Sequence, residues 1–141
     1  MTIETIPSVL ESVAIEEHRD CIVCGRGNAD GLRLQFTEAV DGSVKTVFSC
    51  EKKYRGYSGV LHGGIVSCLL DGAMTNCLFS KGVVALTGEM TIRYLRPVTI
   101  DIVAVVRAHV TRSRSPLYLL EAELSQDGIV KASAAAKFME I

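Results

Sequence analysis

The sequence predicts an α+β domain in which an antiparallel sheet wraps around one long central helix. The segment 62–80 has helical length and is apolar around most of its circumference, as in a helix buried in a core. After this helix the apolar residues change to a two-residue period, which is typical of strands. Asp-Gly pairs at 41–42 and 127–128 indicate hairpin turns between antiparallel strands. A large sheet with one apolar helix to cover it is expected to curl around that helix.

The part of the chain before the long helix is expected to contain a short helix and a hairpin. Apolar residues recur at helical spacing over 7–19 and predict an amphipathic helix. Residues 32–37 alternate between apolar and polar, and residues 44–50 do so again after a tight turn at Asp41-Gly42, so both segments are predicted strands. Residues 54–60 are rich in Gly and Tyr and are predicted to form a loop.

The long helix is expected to end before Gly82, because glycine commonly follows the last turn of a helix. Four strands should come after it. The second is the clearest, since its alternate residues from Ile102 to Val110 form one apolar face. Pro97 falls at a strand end, where a missing N–H donor does least harm. We predict these strands over 84–95, 102–112, 117–125 and 129–140.

Composition limits the class of protein. The 141 residues suit one core, and with 48% hydrophobic and 22% charged residues the chain is of ordinary globular type. A net charge of −1 gives no reason to expect nucleic acid, and no apolar run reaches the length of a membrane span. The acidic segment 1–17 lacks the basic start of a secretory signal, and the five cysteines are an odd number. We therefore expect a cytoplasmic protein with reduced thiols, built as an extension with a short helix (1–20) and a single domain (21–141).

A row of polar and glycine positions runs along the long helix. Gly63, Ser67, Asp71 and Thr75 are spaced by four and so share one face. One interpretation is structural: Ser67 and Thr75 bond back to helix carbonyls, and Asp71 caps a nearby group. The other is functional, and we favour it, because an aspartate is rarely buried without a partner or a task.

The two ends of this row are suited to different chemical tasks. The amides of Gly63 and Gly64 are expected to be unpaired at the helix N-terminus, where they can hold a negatively charged oxygen. Asp71 lies eight residues later, about 12 Å along the axis at about 1.5 Å per residue. One reacting carbonyl cannot touch both in one chain, because catalytic contacts are about 3 Å long. The spacing therefore predicts a two-fold dimer with sites at its interface.

The motifs resemble those of the hotdog-fold acyl-CoA thioesterases, in particular the phenylacetate-degradation branch. The resemblance rests on Gly59-Val60-Leu61-His62-Gly63-Gly64, on the acid nine residues after His62, and on Arg93-Tyr94-Leu95-Arg96-Pro97-Val98, and it covers roughly 21–138. It implies a sheet around a long helix, a homodimer or homotetramer, and hydrolysis of an acyl-CoA or related pantetheine thioester. Coenzyme A would be part of the substrate, so no cofactor is expected.

The resemblance also implies roles for individual residues. Gly63 or Gly64 would donate an amide to the thioester oxygen, and Asp71 of the partner chain would act as nucleophile or as general base. Thr75 would position water beside that acid, and Thr87 matches a further hydroxyl used by some members. For substrate binding we assign six residues: His62, Tyr57, Thr87, Arg93, Arg112 and Arg114. Of these, His62 would orient its loop, and Tyr57 would line the pocket together with Met74 and Leu78. Arg112 and Arg114 would hold the 3′-phosphate end of coenzyme A.

One position departs from the family pattern. Many relatives carry Asn or Gln about six residues before the histidine, where this chain has Gly56. This departure keeps open an alternative in which the same fold binds an acyl-CoA without hydrolysing it. A hotdog dehydratase ranks last, because it would need a histidine and an acid placed together.

His18, Cys21 and Cys24 have the spacing of metal ligands. A structural zinc site usually has four protein ligands, and the sequence contains no second Cys-x-x-Cys or paired histidine. We therefore expect no metal and assign the motif to the shape of the loop before the first strand.

Overall fold

The long helix lies against one face of a single antiparallel sheet in the computed structural model, which describes residues 6–141. The sheet has six strands in the order β1-β2-β4-β5-β6-β3. A 3₁₀ turn at Lys52–Tyr54 precedes the long helix. The helices and strands are α1 (Val9–Glu17), β1 (Thr37–Glu38), β2 (Val44–Ser49), α2 (Gly63–Phe79), β3 (Ala85–Tyr94), β4 (Val103–Arg114), β5 (Leu117–Gln126) and β6 (Ile129–Glu140).

The sheet curves around α2, as the sequence predicts. The helix contacts every strand from β2 to β6, which a flat sheet would not allow for one helix about 10 Å across. Its buried side chains, among them Leu69, Leu70 and Phe79, meet the inward-facing residues of the strands. The outer face of the sheet is open, and burial alternates along β5 with a period of two.

The ends of α2 are set by local hydrogen bonds. The helix begins after His62, whose side chain accepts a hydrogen bond from the Gly64 amide. It ends before Gly82, which has a φ of +72°, a conformation that favours glycine. The predicted end of the helix is therefore confirmed.

The first predicted strand is mostly wrong. Only Thr37 and Glu38 pair with β2, although Leu34 and Phe36 are buried as their alternation suggested. The amides of Leu32 and Leu34 instead donate to the carbonyls of Ile22 and Val23. Residues 32–36 thus pair with the preceding loop, because alternation reports burial and does not choose the hydrogen-bonding partner.

The two Asp-Gly turns differ from one another. Asp127 and Gly128 both have positive φ, 51° and 76°, as a two-residue type I′ turn requires, so this prediction is confirmed. The predicted turn at Asp41-Gly42 is present, since the Gly42 amide donates to the Ala39 carbonyl at 3.0 Å and Gly42 has a φ of +84°, but it belongs to a longer loop, residues 39–43, between β1 and β2. The Asp41 carboxylate accepts from the amide and the hydroxyl of Ser43 and closes this longer loop.

The short helix α1 packs on α2 through its buried residue Leu10. It is shorter than the predicted 7–19, and Val9 and Ile15 are exposed. The division of the chain at residue 20 stays a prediction. None of the helices in residues 6–141 has the length and apolar character needed to span a membrane.

Strand β3 forms one edge of the sheet. It pairs with β6 along its length, with a bulge between Thr87 and Glu89. Its other side has no partner strand within residues 6–141. A long unpaired edge of this kind exposes backbone donors and acceptors to a further strand.

Candidate active site

A stripe of α2 remains uncovered beside the β3 edge. Ser67, Cys68, Asp71 and Thr75 are half-buried, whereas the residues on the rest of the helix are mostly buried. Within one chain Asp71 is therefore not the buried carboxylate that the sequence suggested. The sheet covers only one side of the helix, and no other element in residues 6–141 covers this stripe.

Asp71 and Thr87 contact each other directly. The Thr87 hydroxyl donates a hydrogen bond of 2.7 Å to the Asp71 carboxylate, from β3 to α2. Two of the residues singled out from the sequence are thus brought together. The second carboxylate oxygen accepts no hydrogen bond from the described residues, so it is available to a water or a substrate.

The start of α2 offers one free amide rather than two. The Nδ1 atom of His62 accepts a hydrogen bond of 2.8 Å from the Gly64 amide. The expectation that the Gly64 amide is unpaired is therefore wrong, since the histidine acts as an N-cap. In residues 6–141 the Gly63 amide donates no hydrogen bond, which leaves it as the candidate for an oxyanion contact.

Tyr94 holds the first turn of α2 in place and was missed by the sequence reasoning. Its hydroxyl donates to the Gly63 carbonyl at 3.1 Å and lies 3.0 Å from the Ser67 hydroxyl. Ser67 also donates to the Gly63 carbonyl at 3.0 Å, as the structural interpretation of this serine expected. The alternation of β3 could have indicated that Tyr94 faces the helix, because Met90 and Ile92 share its face.

An apolar groove of about 710 Å³ opens next to Gly63. Tyr57, predicted as a pocket residue, lies on its wall and is 86% exposed. Met74 and Leu78, predicted to line the same pocket, are instead fully buried in the core. Helical periodicity cannot distinguish a residue that faces a pocket from one that faces the sheet. The groove is lined by Gly56, Tyr57, Val60, Leu61, His62, Gly63, Val66, Tyr94, Leu95, Arg96, Pro97 and Val98.

Gly56 packs against the capping histidine. A Cβ atom at this position would lie 3.3 Å from Cδ2 and 3.4 Å from Cα of His62, which is tighter than an ordinary contact. The absence of a side chain at Gly56 therefore lets the loop lie close to the ring that caps α2.

The predicted phosphate-binding arginines lie on the other face of the sheet. Arg112 and Arg114 are opposite Leu119 and Leu117, whose side chains point away from α2. Arg93 lines a groove of about 570 Å³ on the same outer face. Within one chain these three arginines do not meet the Gly63 end of α2, and the basic residue at the groove is Arg96.

His18, Cys21 and Cys24 converge at a second place in the molecule. Their ligand atoms all lie within 4.8 Å of one another. The Cys24 Sγ atom is 3.6 Å from His18 Nδ1, and burial raises the pKa of the Cys24 thiol to about 11. The spacing of these residues is evident from the sequence, but the turn of the histidine side chain toward the loop is not.

Comparisons with known proteins agree on one family. Human acyl-coenzyme A thioesterase 13 is 24% identical over 107 residues, 74% of this chain and 76% of that protein. The crystal structure of a thioesterase superfamily protein has a TM-score of 0.82 at 22% identity and covers 98% of this chain and 68% of that chain. A hypothetical thioesterase protein with coenzyme A from Streptococcus pneumoniae has a TM-score of 0.72 at 18% identity and covers 77% of this chain and 85% of that chain.

The PaaI protein from the phenylacetic acid degradation operon of E. coli has the same fold, with a TM-score of 0.72 at 19% identity over 77% of this chain and 83% of that chain. These solved structures confirm the predicted hotdog fold. The thioesterase superfamily model matches residues 58–133, more than half of the chain, including the helix start, Asp71 and the β3 edge. The chain therefore belongs to the thioesterase superfamily.

Proposed function

We propose that this protein hydrolyses an acyl-CoA, or a related pantetheine thioester, to a free acid and a thiol. The proposal rests on the uncovered stripe of α2, where Thr87 holds the Asp71 carboxylate and the Gly63 amide is free. Membership of the thioesterase superfamily gives these groups a substrate class. The names of the human acyl-coenzyme A thioesterase and of the coenzyme A-bound structure support it further.

The reaction needs groups from two subunits. Gly63 and Asp71 lie about 12 Å apart along α2, further than one reacting centre can span. Each is tied to a different end of β3, Asp71 through Thr87 and Gly63 through Tyr94. Pairing of two β3 edges about a two-fold axis would exchange these ends and bring Asp71 to Gly63 of the partner subunit. We therefore propose a homodimer, or a homotetramer built from it.

The chemistry follows from these two groups. The Asp71 carboxylate would either attack the thioester carbon itself or take a proton from a water that attacks it. In both routes the carbonyl oxygen gains negative charge, which the Gly63 amide of the other subunit would stabilise. The carbon–sulfur bond then breaks, the thiolate takes a proton, and water supplies the second oxygen of the acid product. Thr75, one turn beyond Asp71, is proposed to orient that water.

The groove beside Gly63 is proposed to hold part of the substrate. Its wall combines apolar side chains with Tyr57 and Tyr94, and Arg96 provides a cation near the helix start. A contact of Arg93, Arg112 or Arg114 with the phosphates of coenzyme A stays a prediction. It would require a substrate that reaches the outer face of the sheet.

A binding module without hydrolysis is the second candidate. It is favoured by Gly56, which stands where many relatives have an amide side chain and which packs on His62. In that case an acyl-CoA would bind tightly and no thiol would be released.

A thiol-release assay on a panel of acyl-CoAs tests both candidates. We expect turnover by the wild type and a loss of at least about a hundredfold in kcat for Asp71→Asn, because the amide can act neither as base nor as nucleophile. Asparagine keeps the oxygen that accepts from Thr87, so the fold should survive. Glu123→Gln, on the outer face, is the matched control and should keep its activity.

Tight binding without thiol release by the wild type would support the binding module. Near wild-type turnover by Asp71→Asn would contradict the assignment of the acid.

A further inference from the structure

Three side chains with metal-ligand chemistry meet away from the proposed active site, where α1 ends. His18 is the C-terminal capping residue of α1, and Cys21 and Cys24 lie in the loop that follows. The Cys24 Sγ and His18 Nδ1 atoms are 3.6 Å apart. In a tetrahedral zinc site, bonds of about 2.3 Å to sulfur and about 2.0 Å to nitrogen place these two atoms about 3.5 Å apart. The pair is thus already at the separation that a shared zinc ion requires.

The backbone of the loop positions the Cys21 thiol and the turn that carries Cys24. The Val23 amide donates to Cys21 Sγ at 3.4 Å, and the Gly25 amide donates to the Cys21 carbonyl at 2.9 Å. A Cβ atom at Gly25 would lie 2.6 Å from the carbonyl oxygens of Arg19 and Cys21, so only glycine allows this turn. Hydrogen bonds from backbone amides to sulfur are the kind of outer contact that orients metal ligands.

The third ligand is oriented by the long helix. The His18 ring makes an edge-to-face contact with Phe79 of α2, with the ring centroids 4.9 Å apart. The loop itself lies close to α2 at Gly72, where a Cβ atom would be only 2.6 Å from Cγ1 of Val23. All three ligands are therefore positioned by contacts that exist without an ion.

We propose that His18, Cys21 and Cys24 bind one zinc ion, with water as the fourth ligand. His18 and Cys21 are half-buried, so water can reach an ion held between them and serve as the fourth ligand. Both thiols give their protons to solvent on binding, and the two thiolates balance the charge of Zn²⁺. The absence of a second cysteine pair, which argued against metal from the sequence alone, is no obstacle to a site with three protein ligands.

The ion would fasten α1 to α2. His18 ends the first helix and contacts the last turn of the second, so a bond from His18 to the loop closes this junction. The proposal is independent of thioester hydrolysis, because neither Asp71 nor Gly63 belongs to the cluster.

Metal analysis and cobalt substitution test the site. Untagged protein purified under reducing conditions should contain about one zinc per chain. Apo-protein titrated with Co²⁺ should develop the near-ultraviolet thiolate-to-cobalt band at one equivalent. Cys21→Ser and Cys24→Ser should each reduce bound zinc below about a tenth of an equivalent, whereas Cys50→Ala, a buried thiol that contacts Gln126 and not the cluster, should retain it.

Thermal unfolding gives a second measurement. Zinc at a hundredfold excess over its Kd should raise the Tm of apo-protein by roughly 5 to 10 °C, and a chelator should reverse this. Substoichiometric zinc together with no cobalt band in reduced wild-type protein would overturn the proposal. A Tm shift that persists in Cys24→Ser would also overturn it, because the ion would then be bound elsewhere.

Discussion

Two neighbouring glycines at the start of α2 have different surroundings. The Gly64 amide is bonded to the His62 ring, and the Gly63 amide is free within the described residues. The Gly63 carbonyl accepts hydrogen bonds from Ser67 and Tyr94, which hold the following peptide group and leave the Gly63 N–H group unused. Of the two glycines, Gly63 is therefore the one whose amide is available for the proposed oxyanion contact.

Replacing Gly63 by proline should remove only the N–H donor. Gly63 is the first helical residue, a position that proline favours, and the ψ of 133° at His62 suits a residue before proline. We expect kcat in a thiol-release assay to fall by about 10²- to 10³-fold, the usual effect of losing one oxyanion donor. Gly63→Ala is the control, because it keeps the amide and its Cβ would meet Tyr94 at an ordinary 3.6 Å. Equal losses in both variants would exclude the amide as the donor.

At the scale of elements, α2 packs against more than the sheet. The loop around Val23 crosses the helix at Gly72, where the missing side chain allows close approach. Phe36 reaches the same place from the segment before β1. The uncovered stripe with Asp71 thus lies on one side of the long helix. The His18–Cys21–Cys24 cluster lies on another side, where His18 contacts Phe79 at the end of the helix.

Gly72→Ala should destabilise the protein although alanine is the better helix former. A Cβ atom would lie 2.6 Å from Cγ1 of Val23, whose branched side chain cannot turn away easily. We expect the free energy of unfolding to fall by about 1 to 3 kcal/mol, as for overpacked cores, measured by denaturant titration. Thr75→Ala, on the uncovered stripe, should change it by less than about 0.5 kcal/mol. A stabilised Gly72→Ala would mean that the loop moves freely on the helix.

For the whole molecule the decisive feature is the unpaired edge of β3. Thr87 near one end contacts Asp71, and Tyr94 at the other end contacts Gly63. In the proposed mechanism one chain therefore carries two half-sites, each incomplete by itself. A second copy across this edge is the simplest way to complete them.

Complementation between two inactive variants tests this arrangement. A heterodimer of Asp71→Asn and Gly63→Pro chains has one site with both native groups and one with neither. Heterodimers isolated with two different tags should have about half of the wild-type activity per dimer, although both parents are inactive. The control is a homodimer of Asp71→Asn chains that carries the same two tags. A heterodimer no more active than its parents would place both groups of each site in one chain.

The elements from the long helix onward can be predicted from local sequence patterns alone. Apolar periodicity is a local property, and it placed α2 and the last four strands within two residues of their observed bounds. The spacing of Gly63 and Asp71 likewise predicts a site shared between two chains, because the rise per residue of a helix is a local property. The strand prediction failed for residues 32–36, where burial alternates although the segment does not pair with β2.

Which side chains meet depends on how distant segments of the chain pack. The even-numbered apolar residues of β4 would place Arg112 and Arg114 on the helix side, but a bulge between Val110 and Arg112 turns them outward. Pairing of Thr87 with Asp71, the cap on Gly64 and the convergence of His18 with Cys21 and Cys24 depend on how distant segments pack. Periodicity specifies the face of each element, whereas the contacts of a site depend on register and side-chain orientation, which only the packed fold determines.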